Sequence, residues 1–345
     1  MNNKKILISC RPKSGSTMLW NWFRLLPECR AYYEPTNPIL KQLIKFNPKP
    51  NPEHRHHHVE SWTSEYQGLN EFDKLFRSYF GRIDLFLSAN SPSIELEKFL
   101  KYLFSAPVGL VVLKDLNMLF RIDWLNKIFP DLKIVYLRRS PRLLWTSTMR
   151  VIKEAYRDFK NRNNYADDSL RAYQNDLESY FPFLDDSFCP HPYYRFYFIS
   201  RLGDLFNMPT AQVVLNYDDL VAEPETTMQS MFTKLEIEAD INSILNQAPI
   251  IPSPTIVKEE LESGLTFEKA ENDCENILEK FGFGSKFLPK DFEKLRNQNK
   301  LYQTHQVNRL TGLKKELMTI YEESHERWLM VHEKEEMIQS LKSRL

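Results

Sequence analysis

Lys5-Ile6-Leu7-Ile8-Ser9-Cys10 is an apolar run of strand length. A short polar turn separates it from Met18-Leu19-Trp20-Asn21-Trp22-Phe23-Arg24-Leu25-Leu26, a buried-helix pattern that Pro27 stops. A strand, a tight turn and a helix make half of a βαβ unit. The turn gathers free backbone N–H groups at the positive end of a helix dipole, which suits an anion. Gly15 lets the backbone approach that anion, Ser14, Ser16 and Thr17 add hydroxyls, and Lys13 adds a full positive charge. The common nucleotide loop, Gly-x-x-x-x-Gly-Lys-Ser/Thr, is absent, because here the lysine precedes the glycine.

Two further buried strands follow the same logic. Val108-Gly109-Leu110-Val111-Val112-Leu113-Lys114-Asp115 is an apolar run of the parallel kind, and Leu116 to Phe129 reads as a helix stopped by Pro130. Leu132-Lys133-Ile134-Val135-Tyr136-Leu137 is the next strand, and it ends in Arg138-Arg139-Ser140-Pro141-Arg142. Pro141 suits the first turn of a helix, and Ser147 then lies about two turns in. Arg139 stands at that strand's C-terminal end.

Pro12-Lys13-Ser14-Gly15-Ser16-Thr17 resembles the 5′-phosphosulfate loop of the sulfotransferases, which use 3′-phosphoadenosine 5′-phosphosulfate (PAPS) and release 3′-phosphoadenosine 5′-phosphate (PAP). Arg139, Pro141, Arg142 and Ser147 are similar in spacing to that family's 3′-phosphate motif, with Ser140 where Asp or Asn is usual. Tyr217-Asp218-Asp219-Leu220 resembles the family's Tyr-Glu-Asp-Leu segment, and the likeness runs on through Val221 to Glu225. The resemblance spans residues 4–284 and implies a P-loop NTPase-like α/β fold: a central parallel sheet with helices on both faces. It implies a cofactor site of Arg11, Lys13, Ser14, Gly15, Ser16, Thr17, Met18, Arg139 and Ser147. Met18 stands where the cytosolic enzymes carry a stacking tryptophan, and the expected Arg-Lys-Gly segment is absent, so the adenine contacts stay open.

Ala31-Tyr32-Tyr33-Glu34-Pro35 reads as a short extended piece, expected beside the first strand with Glu34 facing the anion loop. A Glu-Pro at this place resembles the sulfotransferases of carbohydrate and related hydroxyls and implies Glu34 as base, with Lys13 as the second catalytic residue. A histidine from the loop His54-Arg55-His56-His57-His58 is the competing base, and Glu65 and Asp115 are further contenders. That loop matches no metal-ligand pattern, so no metal is expected. His191-Pro192-Tyr193-Tyr194 begins a helix whose aromatics belong to the core.

Apolar residues make up 42% of the 345 positions, enough for a large core, and Lys+Arg balances Asp+Glu at 46 each. A general nucleic-acid coat would carry a basic excess, so no nucleic-acid partner is expected; a small-molecule or carbohydrate acceptor is what the sulfotransferase resemblance implies. Cys10, Cys29, Cys189 and Cys274 match no zinc spacing and read as free thiols. Neither a secretory signal nor a membrane span is visible, so the chain reads as a cytoplasmic enzyme.

Residues 1–290 are expected to form the catalytic domain. Residues 291–345 are expected to form a C-terminal helical extension, because Leu310, Leu313, Leu317, Ile320, Val331, Ile338, Leu341 and Leu345 follow an interrupted heptad. That helix could dock on the domain or pair two chains into a homodimer. Two other functions compete with sulfuryl transfer. One is a small-molecule kinase of the P-loop class, and the other a non-catalytic scaffold whose C-terminal helix binds a partner.

Overall fold

The computed structural model describes residues 3–46, 59, 61–151, 176–250, 261, 264–299, 302, 319, 322 and 323. Five parallel strands form one sheet: β1 (Lys4–Cys10), β2 (Cys29–Tyr33), β3 (Leu110–Lys114), β4 (Leu132–Arg138) and β5 (Val213–Asn216). Their order across the sheet is β2-β3-β1-β4-β5. The chain moves to one side of β1 for β2 and β3, then crosses back for β4 and β5. Such a reversal opens a binding crevice at the C-terminal ends of the central strands. The loop after β1 sits at that point.

The second strand does not lie beside the first, where the sequence pattern predicts it. β3 lies between them, pairing with β1 from Lys4↔Leu110 and with β2 from Cys29↔Leu110. The pattern of β2 explains this: Cys29 and Arg30 are only half-buried, as suits an edge strand, whereas all of β3 is buried.

Twelve helices are described. The first six are α1 (Ser16–Arg24), α2 (Leu40–Phe46), α3 (Phe72–Leu75), α4 (Ile94–Phe104), α5 (Ile122–Ile128) and α6 (Pro141–Val151). The next six are α7 (Pro192–Asn207), α8 (Tyr217–Ala222), α9 (Pro224–Leu235), α10 (Ile241–Gln247), α11 (Phe267–Lys280) and α12 (Phe292–Gln298). The stretch from Leu116 to Phe129 is not one helix: a single 3-10 turn at Leu116–Met118 precedes α5. The acidic stretch directly after β5 forms the helix α8.

Side chains alternate across the strands. Ile6, Ile8, Val112, Val135 and Leu137 pack with residues of α1, α9 and α10 on one face. Leu7, Val111, Leu113 and Ile134 pack with α4 and α5 on the other. A third cluster joins Tyr136 to α6, α7 and α11, and it holds Tyr193, Tyr194, Phe196, Tyr197 and Phe198 as core residues. Helices thus cover both faces, as the α/β reading requires.

The heptad positions from Leu310 to Leu345 lie outside the described residues. Of the C-terminal region, Glu322 accepts a hydrogen bond from Ser78 Oγ at 3.2 Å, so this part of the tail touches the body of the chain. Among the described residues, no helix is long and apolar enough to cross a membrane.

Candidate active site

The loop after β1 has an unusual backbone. Lys13 has φ 65° and Gly15 has φ 91°. Alternating left-handed residues turn successive N–H groups inward, which is the geometry of an anion nest. A left-handed lysine costs about 1–2 kcal/mol, so something must hold it. Ser14 supplies one clamp: its N–H and its hydroxyl both donate to Arg11 O, at 3.4 and 2.8 Å. Arg139 supplies the other, donating from Nη1 to Lys13 O at 2.8 Å.

α1 begins at this loop with Gly15 as its N-cap, without a side-chain cap bond and without an acidic residue in its first turn. Ser14, Ser16 and Thr17 are buried, and the Lys13 side chain is exposed. Met18 is half-buried against the core cluster of Trp20 and Trp22, and its N–H donates to Gly15 O at 3.1 Å. Arg11 is buried, its guanidinium 4.8 Å from the Phe196 ring centroid.

Arg139 follows the end of β4, as the sequence suggested. Its guanidinium lies 4.0 Å from the centroid of the Tyr217 ring. Register explains that contact: Arg138 pairs with Asn216 across β4 and β5, so the next residues, Arg139 and Tyr217, leave the sheet side by side. Arg138 and Arg142 face elsewhere. Arg138 bonds Asp204 at 3.0 Å, and Arg142 makes a two-pronged pair with Glu271 at 2.8 and 2.6 Å. Ser147 is half-buried on α6, about 9 Å along the helix from Pro141. The loop and Arg139 are therefore in contact, while Ser147 lies farther along.

Glu34 stands just past the end of β2, with φ 46°. Its N–H donates to Lys114 O at 2.7 Å, and its carbonyl accepts from Asn37 N at 2.9 Å. One carboxylate oxygen accepts from Lys114 Nζ and the other from Asn37 Nδ2 at 2.9 Å. The Lys114 side chain is only 2% exposed and that of Glu34 15%. The ammonium also lies 4.2 Å from the Tyr33 ring centroid. Burial pulls the Lys114 pKa down, but the Glu34 carboxylate and then Tyr33 more than offset it, so the ammonium holds its proton more tightly than usual. Tyr33 OH shares a hydrogen bond with Thr17 Oγ1 at 3.3 Å, which ties this pair to the first turn of α1. Beneath the loop, burial raises the Cys10 thiol pKa, opposed by Lys114 and by hydrogen bonding with Ser16 and Ser14.

The other carboxylate contenders are engaged in holding the structure. Asp115 is fully buried and accepts from Thr36 N at 2.8 Å, from Thr36 Oγ1 at 2.7 Å and from Asn117 N at 2.8 Å. Burial raises its pKa against those bonds. It fixes the Glu34-Pro35-Thr36 turn. Glu65 pairs with Arg24 at 2.5 Å, at the far end of α1. The histidine loop at 54–58 lies outside the described residues. Among the described residues, no group of three or more His, Cys, Asp or Glu is placed to hold a metal ion.

Sequence reasoning named Lys114 and Tyr217 but gave neither a place at the site. A lysine closing an otherwise apolar strand was the available signal for the first. For the second, the signal was a tyrosine placed directly after the edge strand next to β4.

The sulfotransferase family profile matches residues 5–240, about two thirds of the chain and all five strands. The chain belongs to the sulfotransferase family. Three solved sulfotransferase structures illustrate the likeness. STF9 from Mycobacterium avium shares 13% identity over 82% of this chain and 78% of that one, with a TM-score of 0.42. The sulfotransferase domain of the Synechococcus PCC 7002 olefin synthase shares 17% over 86% and 94%, with a TM-score of 0.39. Mouse SULT7A1, solved in complex with PAP, shares 13% over 87% and 85%, with a TM-score of 0.33. No curated protein matches the chain.

Proposed function

We propose that this sulfotransferase-family chain moves the sulfuryl group of PAPS to an acceptor hydroxyl, that of a carbohydrate or a related small molecule. The observation that carries the reading is the bond from Arg139 Nη1 to Lys13 O. It makes the two anion motifs, distant in sequence, the two walls of one site. A nucleotide charged at both ends is the ligand that needs such a pair.

The donor set fits that ligand. The left-handed positions at Lys13 and Gly15, the uncapped start of α1 and the exposed Lys13 ammonium present positive charge at one place. The arginine presents a planar fork at the other. When bound, PAPS supplies an activated sulfuryl group and a phosphate leaving group. Lys13 is then placed to stabilise charge building on the departing oxygen, and the first-turn N–H groups of α1 hold the same end. Sulfuryl transfer resembles phosphoryl transfer in depending on in-line positioning and charge stabilisation. No metal is needed for that, because lysine and helix end carry the positive charge.

Glu34 takes the hydroxyl proton. Each of its carboxylate oxygens carries two lone pairs, so the bonds from Lys114 and Asn37 orient the group and leave acceptor capacity. The acceptor is read as a carbohydrate or similar alcohol because Glu34 sits in a Glu-Pro pair of the kind that resembles those enzymes. The whole chain comprises, in this reading, a catalytic domain over 1–290 and a helical extension over 291–345.

A thermal-shift screen with PAP, ATP plus magnesium, and NAD tests the function. A ligand at one hundred times its Kd stabilises by about 2.7 kcal/mol. PAP is expected to raise Tm and the other two to leave it unchanged. A shift with ATP and magnesium alone would favour a kinase. PAP binding with no transfer to any hydroxyl would favour a scaffold.

A further inference from the structure

We propose that Tyr217 is the positioning residue that fixes the Arg139 guanidinium for phosphate, acting through the face of its ring. The inference rests on the reading of Arg139 as the group that binds the 3′-phosphate of PAPS.

Three observations converge on this side chain. The Arg139 guanidinium lies 4.0 Å from the centre of its ring. A Cβ on Gly15 would lie 2.7 Å from its Cδ2 and its Cε2. Arg139 Nη1 donates to Lys13 O at 2.8 Å. The ring is therefore wedged between the two anion motifs, its edge on the loop and its face under the arginine. It is 8% exposed, so its setting is fixed by packing. An arginine side chain has many rotamers, and ordering it on binding costs affinity. A ring face 4 Å below the guanidinium removes that cost beforehand and attracts the cation. A guanidinium has five N–H donors in a rigid fork. The Lys13 bond engages Nη1, and the stacking sets the plane of the fork. Gly15 then has two reasons to be glycine: its left-handed φ and the ring against its Cα.

The test uses the full chain and two nucleotides, PAP and adenosine 5′-phosphate, which lacks the 3′-phosphate. Tyr217→Leu is expected to weaken PAP about tenfold while adenosine 5′-phosphate stays within about twofold. Tyr217→Phe keeps the ring face and is expected to bind PAP as the wild type does. In an Arg139→Ala background, Tyr217→Leu is expected to add no further loss. Should Tyr217→Leu not fold, stepwise fluorination of phenylalanine at position 217 weakens the ring face while largely preserving its size. PAP affinity is then expected to fall with each fluorine and that of adenosine 5′-phosphate to stay level. Equal losses for both nucleotides would overturn the proposal, because the ring would then serve the nucleoside or the loop. So would a Tyr217→Phe variant as weak as Tyr217→Leu, or PAP affinity indifferent to fluorination. If Arg139→Ala leaves PAP affinity unchanged, the phosphate reading of Arg139 fails first and takes this proposal with it. If Arg139→Ala weakens PAP but the ring substitutions do not, only the role of Tyr217 falls.

Discussion

Removing either partner of the Lys114–Glu34 pair should be far worse than removing both. In Glu34→Leu the Lys114 ammonium stays in place, 2% exposed, with its carboxylate gone. An unpaired buried charge of this kind costs about 3–5 kcal/mol. In Lys114→Met the Glu34 carboxylate is left, but its side chain is 15% exposed and Asn37 still donates to it. That variant should sit at the low end, about 3 kcal/mol. The double variant removes both charges and places apolar side chains beside Tyr33. It should lie within about 1 kcal/mol of the wild type, since replacing a whole buried pair is often neutral. Urea unfolding of the four proteins gives the coupling, expected to be at least about 5 kcal/mol. Penalties that simply add would refute the buried-pair argument. The pH dependence has a definite sign. Folding raises the Lys114 pKa, so the stability from this group is fully present below its unfolded pKa, about 10.4. It is lost as pH rises through the folded value. In Glu34→Leu, burial loses its largest opponent and the Lys114 pKa falls, so the penalty shrinks as pH rises toward about 10.4. The stability gap between wild type and Glu34→Leu should therefore narrow in alkaline urea titrations.

Lys13→Ala should lower the rate of sulfuryl transfer by about 10²–10³-fold while PAP, which lacks the sulfuryl group, still binds; an assay with radiolabelled PAPS shows it, and an active variant would remove Lys13 from the chemistry. Gly15→Ala should cost about 1–2 kcal/mol for its left-handed φ and about 1–3 more for the Tyr217 ring, read as a fall in urea midpoint; an unchanged midpoint would mean the loop is not held where it is described. Burial pushes the half-buried Cys29 thiol up to about 12, so at pH 8 its thiolate is scarce, and alkylation of the native chain there should be at least about tenfold slower than of a denatured thiol. Mass mapping of the modified peptide reads that rate, and rapid native labelling of Cys29 would contradict it.

Much of the site was legible because its chemistry is local. The loop after β1 lies within one strand–turn–helix unit, so glycine, lysine and hydroxyls could be read in register. Arg139 was legible for the same reason, as a strand end followed by a helix-starting proline. The bond between the two was not, since no local rule joins residues so far apart in sequence. The place of β2 was not legible either: strand order follows from crossovers, and the edge character of Cys29-Arg30 shows only once burial is known. Asp115 and Glu65 looked like bases because a carboxylate has no visible partner in sequence. Their partners, Thr36 and Arg24, come from other segments. Lys114 was hidden for a related reason. A lysine closing an apolar strand reads as its solvated end until Glu34 folds across it.

The central claim is that one nucleotide is gripped at both ends, its 3′-phosphate by Arg139. Calorimetric titration of the full chain with PAP and with adenosine 5′-phosphate, repeated on Arg139→Ala, addresses it most directly. PAP should bind the wild type more tightly than adenosine 5′-phosphate by about 2–5 kcal/mol, and Arg139→Ala should erase most of that difference. Equal affinities in the wild type, or a difference that survives the loss of Arg139, would contradict it.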